Sequence, residues 1–155
     1  MEKIITTRCT QLQPLSQEHQ CGAAFIHRVR NGIDKVADDR LRNYVLWYWK
    51  NHIRPHFFQE EKILLPCMDA GHPLAIKLKE DHAYIRQLVL SLDQHADRQS
   101  FVILCDLIDE HVRFEETALF AWLESNLEEK TLNSISSQLL AHPVETAEWK
   151  DCFWQ

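Results

Sequence analysis

The stretch His52-Ile-Arg-Pro-His56-Phe-Phe-Gln-Glu60-Glu61 decides the reading of this chain. His52, His56 and Glu60 recur every four residues, so on a helix each lies roughly 40° round and roughly 6 Å along from the last. They form one polar stripe on an otherwise apolar helical segment. Two imidazoles and a carboxylate cost several kcal/mol to bury unpaired, and a bound metal ion offsets that cost.

Working outward, the same face pattern recurs on other predicted helices. Residues 1–13 lack helical periodicity and are expected to form an extended arm. Pro14-Leu15-Ser16 reads as a helix start with Ser16 as cap, and Leu15, His19, Gly22, Ile26, Val29 and Ile33 then keep the four-three spacing of a buried face. A second helix is predicted over about 38–65, ended by Pro66, with Val45, Trp49, His52, His56, Glu60 and Ile63 inward. Pro55 inside it removes one backbone hydrogen bond, and either kinks this helix or begins a second helical piece. The turn Asp69-Ala-Gly-His-Pro73 precedes a third helix over about 74–93, with Leu78, His82, Ile85, Val89 and Leu92 on one face. A fourth, over about 99–126, aligns Leu104, Ile108, His111, Glu115, Ala118 and Trp122. A short fifth helix over about 131–141 stops at His142-Pro143, and Trp149, Phe153 and Trp154 in the tail are placed to fold back over the rest.

Composition agrees. With 155 residues, 45% of them hydrophobic, the chain has the length of one domain, 1–155, and can bury a core without staples. Only 3 Gly and 5 Pro leave little material for tight turns, so the fold class is all-α. A formal charge of −6 with no basic stripe argues against nucleic acid as a partner. Five cysteines without a CxxC pair fit reduced thiols and a cytoplasmic location, with Cys21 and Cys105 expected as buried inert thiols. No run approaches the roughly eighteen apolar residues of a membrane span.

Four long helices with short connections pack most simply as an up-down-up-down four-helix bundle. Measured from one end at 1.5 Å per residue, His19 lies roughly 6 Å up, Glu60 and His56 roughly 8 and 14 Å, and His82 roughly 12 Å. Glu115 and His111 come out higher, at roughly 17 and 23 Å, unless the fourth helix overshoots the end. The predicted metal ligands are therefore His19, His56, Glu60, His82, His111 and Glu115, with His52 as a further candidate and Glu116 as a substitute for Glu115. Four nitrogens and two bridging carboxylates give eight bonds, and a bridging oxygen adds two, which leaves open positions on two octahedral ions. Glu61 and Glu116 point off the ideal face and are expected in solvent. Tyr44 and Tyr48 extend the His52 stripe in packing roles, and His27, His72, His95 and His142 are assigned to the surface or to caps.

Together these residues resemble the hemerythrin-like HHE cation-binding domain, in its bacterial hemerythrin-like branch. The resemblance covers roughly residues 12–124 through four stretches: Leu12-Gln-Pro-Leu-Ser-Gln-Glu-His19, His52 to Glu61, His72-Pro-Leu to Glu80-Asp-His82, and Asp109-Glu-His111-Val-Arg-Phe-Glu115-Glu116. It implies a four-helix bundle around a non-haem di-iron centre with bridging carboxylates and an oxo or hydroxo bridge; zinc or manganese also suit such donors. Oxygen-carrying hemerythrins use a His pair on the third helix, whereas Leu78 and Arg86 flank His82 here, and an Asp five residues past the fourth-helix His, whereas Glu115 follows His111 by four. The expected function is binding of, or reaction with, a small oxidant (O2, peroxide or NO), with peroxide decomposition or NO reduction as the enzyme form. The alternative is a non-catalytic iron or oxygen sensor that signals through a protein partner.

Overall fold

Pro14 and Pro73 stand in the first turns of their helices, where a missing N–H costs no hydrogen bond. From such starts the computed structural model, which describes residues 8–144 and 147–155, builds helices and no strand among the described residues. The chain is all-helical.

The first long helix, α1, spans Gln13–Gly32. The second run opens with α2 (Asp38–Tyr48), passes through a π-turn (Trp49–Ile53) into α3 (Arg54–Gln59), and ends in another π-turn (Glu60–Leu64) and a 3-10 turn (Leu65–Cys67) holding Pro66. Helix α4 (Pro73–Gln94) follows. The fourth run is α5 (Arg98–Phe114), a π-turn (Glu115–Leu119) and α6 (Phe120–Asn126), and α7 (Glu129–Ala141) comes last. Around the cross-section α1 packs on α2, α2 on α4, α4 on α5, and α5 on α1.

Pro55 stands in the first turn of α3, in keeping with the alternative that it begins a second helical piece, and the run continues through it. Just before it the ladder has already shifted to i→i+5 bonding, Arg54 N–H reaching the carbonyl of Trp49. The absent proline N–H therefore falls next to a turn already wider than an α-turn. Ser16 does not cap α1, which begins three residues earlier, so the expected arm is shorter. Thr10–Leu12 form a 3-10 turn with Leu12 buried. The rest of the predicted arm, residues 1–7, lies outside the described residues.

Apolar residues collect in two separate cores. One holds Phe25, Val29, Tyr44, Val89, Leu104 and their neighbours, capped by Phe153 from the tail. The other holds Leu12, Leu15, Leu78, Phe120 and Leu123 together with Leu132, Ile135 and Leu139 of α7. Each buried Leu or Phe contributes about 1.5–3 kcal/mol, so both cores are substantial. α6 carries Phe120 and Leu123 into the core that also holds the buried residues of α7. The tail folds back as expected, with Trp149 and Trp154 packed on the first core and Arg28 over the Trp154 ring at 4.2 Å. Cys105 is buried, as expected, but Cys21 is exposed because its position on α1 faces away from both cores. No described helix is long and apolar enough to cross a membrane.

Two predictions follow from local geometry. A Cβ on Gly32 would stand 2.7 Å from the Phe153 ring and 3.0 Å from Leu41. Overpacking of this kind costs about 1–3 kcal/mol, more than the roughly 0.5–1 kcal/mol that alanine gains over glycine in a helix. Gly32→Ala should therefore lower the urea midpoint. Asp97 caps α5 by accepting a 2.8 Å hydrogen bond from Ser100 N–H, and that bond holds its carboxyl below the ordinary 3.8. A depressed carboxylate stabilises the fold above its unfolded pKa and loses the contribution as pH falls through its folded pKa. Wild type and Asp97→Asn should accordingly differ in urea midpoint at pH 5–7 and converge as pH drops below about 3.8.

Candidate metal centre

Between the two apolar cores lies a layer of buried ionisable side chains. His19 is 8% exposed, His56 7%, His82 1% and His111 3%, while Glu60 and Glu115 have no exposed surface. Each of the four long runs contributes one histidine, and the second and fourth also contribute one glutamate four residues later. Glu60 and Glu115 each open a π-turn, whose i→i+5 bonding rotates less per residue than an α-turn, so the following residue stays near the same face.

All four rings turn Nε2 inward. His19 Nε2 lies 3.0 Å from Glu115 Oε2, and His56 Nε2 lies 3.3 Å from Glu60 Oε1. His82 Nε2 lies 3.2 Å from Glu60 Oε1 and 3.9 Å from Glu115 Oε1, and His111 Nε2 contacts Glu115 Oε1. The rings form two edge-to-face pairs, His19 with His56 at 5.1 Å and His82 with His111 at 5.0 Å. Donor atoms close within 4.8 Å in two groups of four: His19, His56, Glu60 and Glu115, and Glu60, His82, His111 and Glu115. Both glutamates belong to both groups.

Apart from His82 Nε2 and Glu60 Oε1, which meet in a 3.2 Å hydrogen bond, the inward atoms face one another as ion pairs without hydrogen-bond geometry. Nε2 of His19, His56 and His111, Oε2 of Glu60 and both oxygens of Glu115 are buried without a hydrogen bond. Buried polar atoms left this way cost about 1–3 kcal/mol each, and charged ones more. So many convergent orphans fit a cation, and these buried clusters could hold a metal ion.

The outward nitrogens tell the complementary story. His19 Nδ1 donates to Glu116 Oε1 at 2.7 Å, His111 Nδ1 to Asp81 Oδ2 at 2.9 Å, and His56 Nδ1 to Glu18 Oε2. His82 Nδ1 faces Glu61 Oε1 at 3.5 Å. These carboxylates sit beside ligands in sequence, at Glu18-His19, Glu60-Glu61, Asp81-His82 and Glu115-Glu116. The first run therefore holds the second run's histidine, the second the third's, the third the fourth's, and the fourth the first's. Three of these four links are hydrogen bonds, and the fourth, Glu61 to His82, is an ion-pair contact in which Nδ1 has no hydrogen bond. Protonation at Nδ1 leaves the Nε2 lone pair directed inward, the tautomer that a metal requires.

Electrostatics follow this layout in the metal-free chain. Burial pushes the His19 imidazolium down, but Glu115 and Glu116 outweigh it and hold the group up at about 9. Burial also pushes His56 down, and nearby His19 adds to that, so His56 stays low despite Glu18. For His111 burial is outweighed by the charge of Glu115 and the Asp81 hydrogen bond, which raise it. Glu60 is pushed well above the carboxylate range by burial and by the charge of Glu115. Burial acts the same way on Glu115, but His111 overcomes it and holds Glu115 well below that range.

The structure thus brings together His19, His56, Glu60, His82, His111 and Glu115. It does not place His52 with them: this ring stacks on Tyr48 at 4.6 Å and its Nε2 lies 3.3 Å from the Ala147 carbonyl. Tyr48 itself stacks on Phe25, and Tyr44 accepts a long 3.5 Å contact from Arg28, both in the core as expected. Glu61 and Glu116 are corrected from solvent-facing to partners of His82 and His19, because the π-turns hold them near the interior. Glu116 is only 7% exposed and also accepts from Ser16 Oγ at 3.2 Å and from Arg8 at 3.1 Å. It does not replace Glu115, which faces the centre. Arg8, expected in a loose arm, is 6% exposed at its side chain and further bonds Glu124 at 2.6 Å. His72 caps α4 by accepting from Leu74 N–H at 3.1 Å.

Beside the layer opens a cavity of about 140 Å3. His19, His56 and His111 border it, together with apolar side chains that include Ile53, Ile108 and Val112.

The fold and this layer define an all-helical protein with buried histidine–glutamate clusters that could hold a metal ion. No family model, curated protein or solved structure matches the chain.

The outer carboxylates generate a prediction. Loss of such a partner weakens metal affinity about 10–100-fold. Asp81→Ala should do so in a chelator competition, while Glu80→Ala at the exposed neighbouring position should leave affinity unchanged.

Proposed function

We propose that the four long runs alternate in direction as an up-down-up-down bundle of the hemerythrin-like kind, enclosing a di-iron centre that binds or reacts with a small oxidant. One observation carries the reading: the two donor groups share Glu60 and Glu115 and differ in their histidine pairs. Such a set would suit two neighbouring ions that both draw on Glu60 and Glu115. His19 and His56 would hold one ion, and His82 and His111 the other. With four protein donors for each ion, coordination positions would remain for a small exogenous ligand. When bound, the iron pair supplies redox change shared over two ions and an electrophilic position for O2, peroxide or NO.

The chain's own residues do the rest. The outer carboxylates fix each imidazole's tautomer and aim. Phe57, stacked on His82 at 3.7 Å, and Phe120, stacked on His19 at 5.6 Å, exclude water around the rings. Zinc and manganese suit the same donors, so the metal's identity rests on the resemblance and not on the donor set.

The test begins with metal analysis of purified protein and its visible spectrum before and after anaerobic reduction. About two irons per chain, with oxo-bridged bands that bleach on reduction, are expected. His111→Ala should lose the bands, and repeated turnover of peroxide by wild type would make the protein an enzyme. Colourless protein after anaerobic loading with ferrous iron overturns the reading.

A sensing role gains support from Gln59, which neighbours Glu60 and donates at 2.7 Å to the carbonyl of His142 at the end of α7. This bond ties the centre's helix to the C-terminal segment. Protease cleavage within residues 127–155 that depends on metal is the result expected of a sensor, and identical cleavage with and without metal counts against it.

A further inference from the structure

The cavity beside the metal layer is far larger than a diatomic oxidant needs. At about 140 Å3 it has the volume of cavities that hold a benzene ring, though it opens to the surface and is bordered by polar groups as well. Its chemistry is divided. Ile53, Ile108 and Val112 contribute apolar wall, while Glu18 and His52 border the cavity together with the layer histidines His19, His56 and His111. Gly22 of α1 also borders it, and a Cβ built on Gly22 meets nothing within 4 Å, so the helix backbone itself faces open space there.

A chamber filled only by water would leave that apolar wall wet, which is unfavourable. A diatomic would occupy a small part of the volume. We propose that the chamber binds a small organic molecule with an apolar body of about the size of a six-membered carbon ring and one polar head turned to the histidines. The apolar body lies against Ile53, Ile108 and Val112. The head reaches the side of the layer formed by His19, His56 and His111. That this head meets a metal rests on the reading given above; that the chamber takes an apolar body does not. The substrate class so defined is a small amphiphile, such as an aryl alcohol or an alkyl or aryl hydroperoxide, in place of a bare diatomic.

Gly22 supplies the test. Gly22→Leu puts a side chain into the chamber and replaces a residue that weakens a helix interior, so the fold is retained. Val112→Phe narrows the chamber from the opposite helix as a second variant, and circular dichroism checks both. Fluorobenzene and 4-fluorophenol are titrated into the protein as purified and followed by fluorine NMR, and metal content is measured on the same samples. Saturable one-to-one binding is expected, weakened at least about tenfold by either variant, with metal content unchanged. No saturable binding to wild type overturns the proposal, and so does equal binding to wild type and both variants, since the probe then sits elsewhere. Protein that binds the probes but takes up no iron even after anaerobic loading with ferrous iron sinks the di-iron reading while leaving the chamber. Protein that holds metal but binds no probe does the reverse.

Discussion

Desolvation of six ionisable side chains in one layer is the constraint on which the rest of the structure depends. Two apolar cores press on this layer from either side, and neither could form as it does if His19, His56, Glu60, His82, His111 and Glu115 kept their water. The effective penalty for burying an ion is several kcal/mol, and removing one partner of a buried pair costs about 3–5 kcal/mol. Total folding stability is about 5–15 kcal/mol, so the layer cannot be left unbalanced on both its inner and outer sides. The outer side is balanced by protein, through Glu18, Glu61, Asp81 and Glu116. The inner side is not, and its orphaned atoms converge on each other.

This division of labour explains features of the backbone that would otherwise look like defects. An α-helix turns adjacent residues about 100° apart and a π-turn turns them less, so Glu60 and Glu61 stand nearer to one face than an α-helix would put them. The π-turns at Glu60–Leu64 and Glu115–Leu119 relax that rule at the two positions where consecutive carboxylates have different tasks. One residue faces inward and its neighbour supports the next helix's imidazole. Where the acid precedes its histidine, as in Glu18-His19 and Asp81-His82, ordinary helix geometry suffices and no π-turn appears.

The inner set was legible in the sequence because it obeys helical spacing: His56 to Glu60 and His111 to Glu115 are each one turn, and each lies in register with apolar residues. The all-helical class was legible for the same reason, together with the scarcity of glycine and proline. The outer set was not, because an ideal 3.6-residue period puts Glu61 and Glu116 off the face, and no periodicity shows which helix will stand next to which. The doubled acids and the acid-before-histidine pairs were the available signal. His52 misled in the opposite way. It continues the stripe of His56 and Glu60, but it lies in the π-turn Trp49–Ile53, where the extrapolated α-register does not hold. Arg8 carried no local signal at all, since its partners Glu116 and Glu124 lie more than a hundred residues away.

The layer is also unequal in its access, and packing decides which way. His82 is 1% exposed and its ring lies against Phe57 at 3.7 Å, so this corner is sealed by an aromatic face. The corner of His19 and His56 borders the cavity, where Gly22 contributes no side chain and α1 therefore fills less space than any other residue would allow. Glycine inside a helix is destabilising by roughly 0.5–1 kcal/mol relative to alanine, and here no close approach of another backbone requires it. What the missing side chain leaves is volume in the cavity that His19, His56 and His111 border, so the helix stability forgone at Gly22 is matched by open space beside the buried layer.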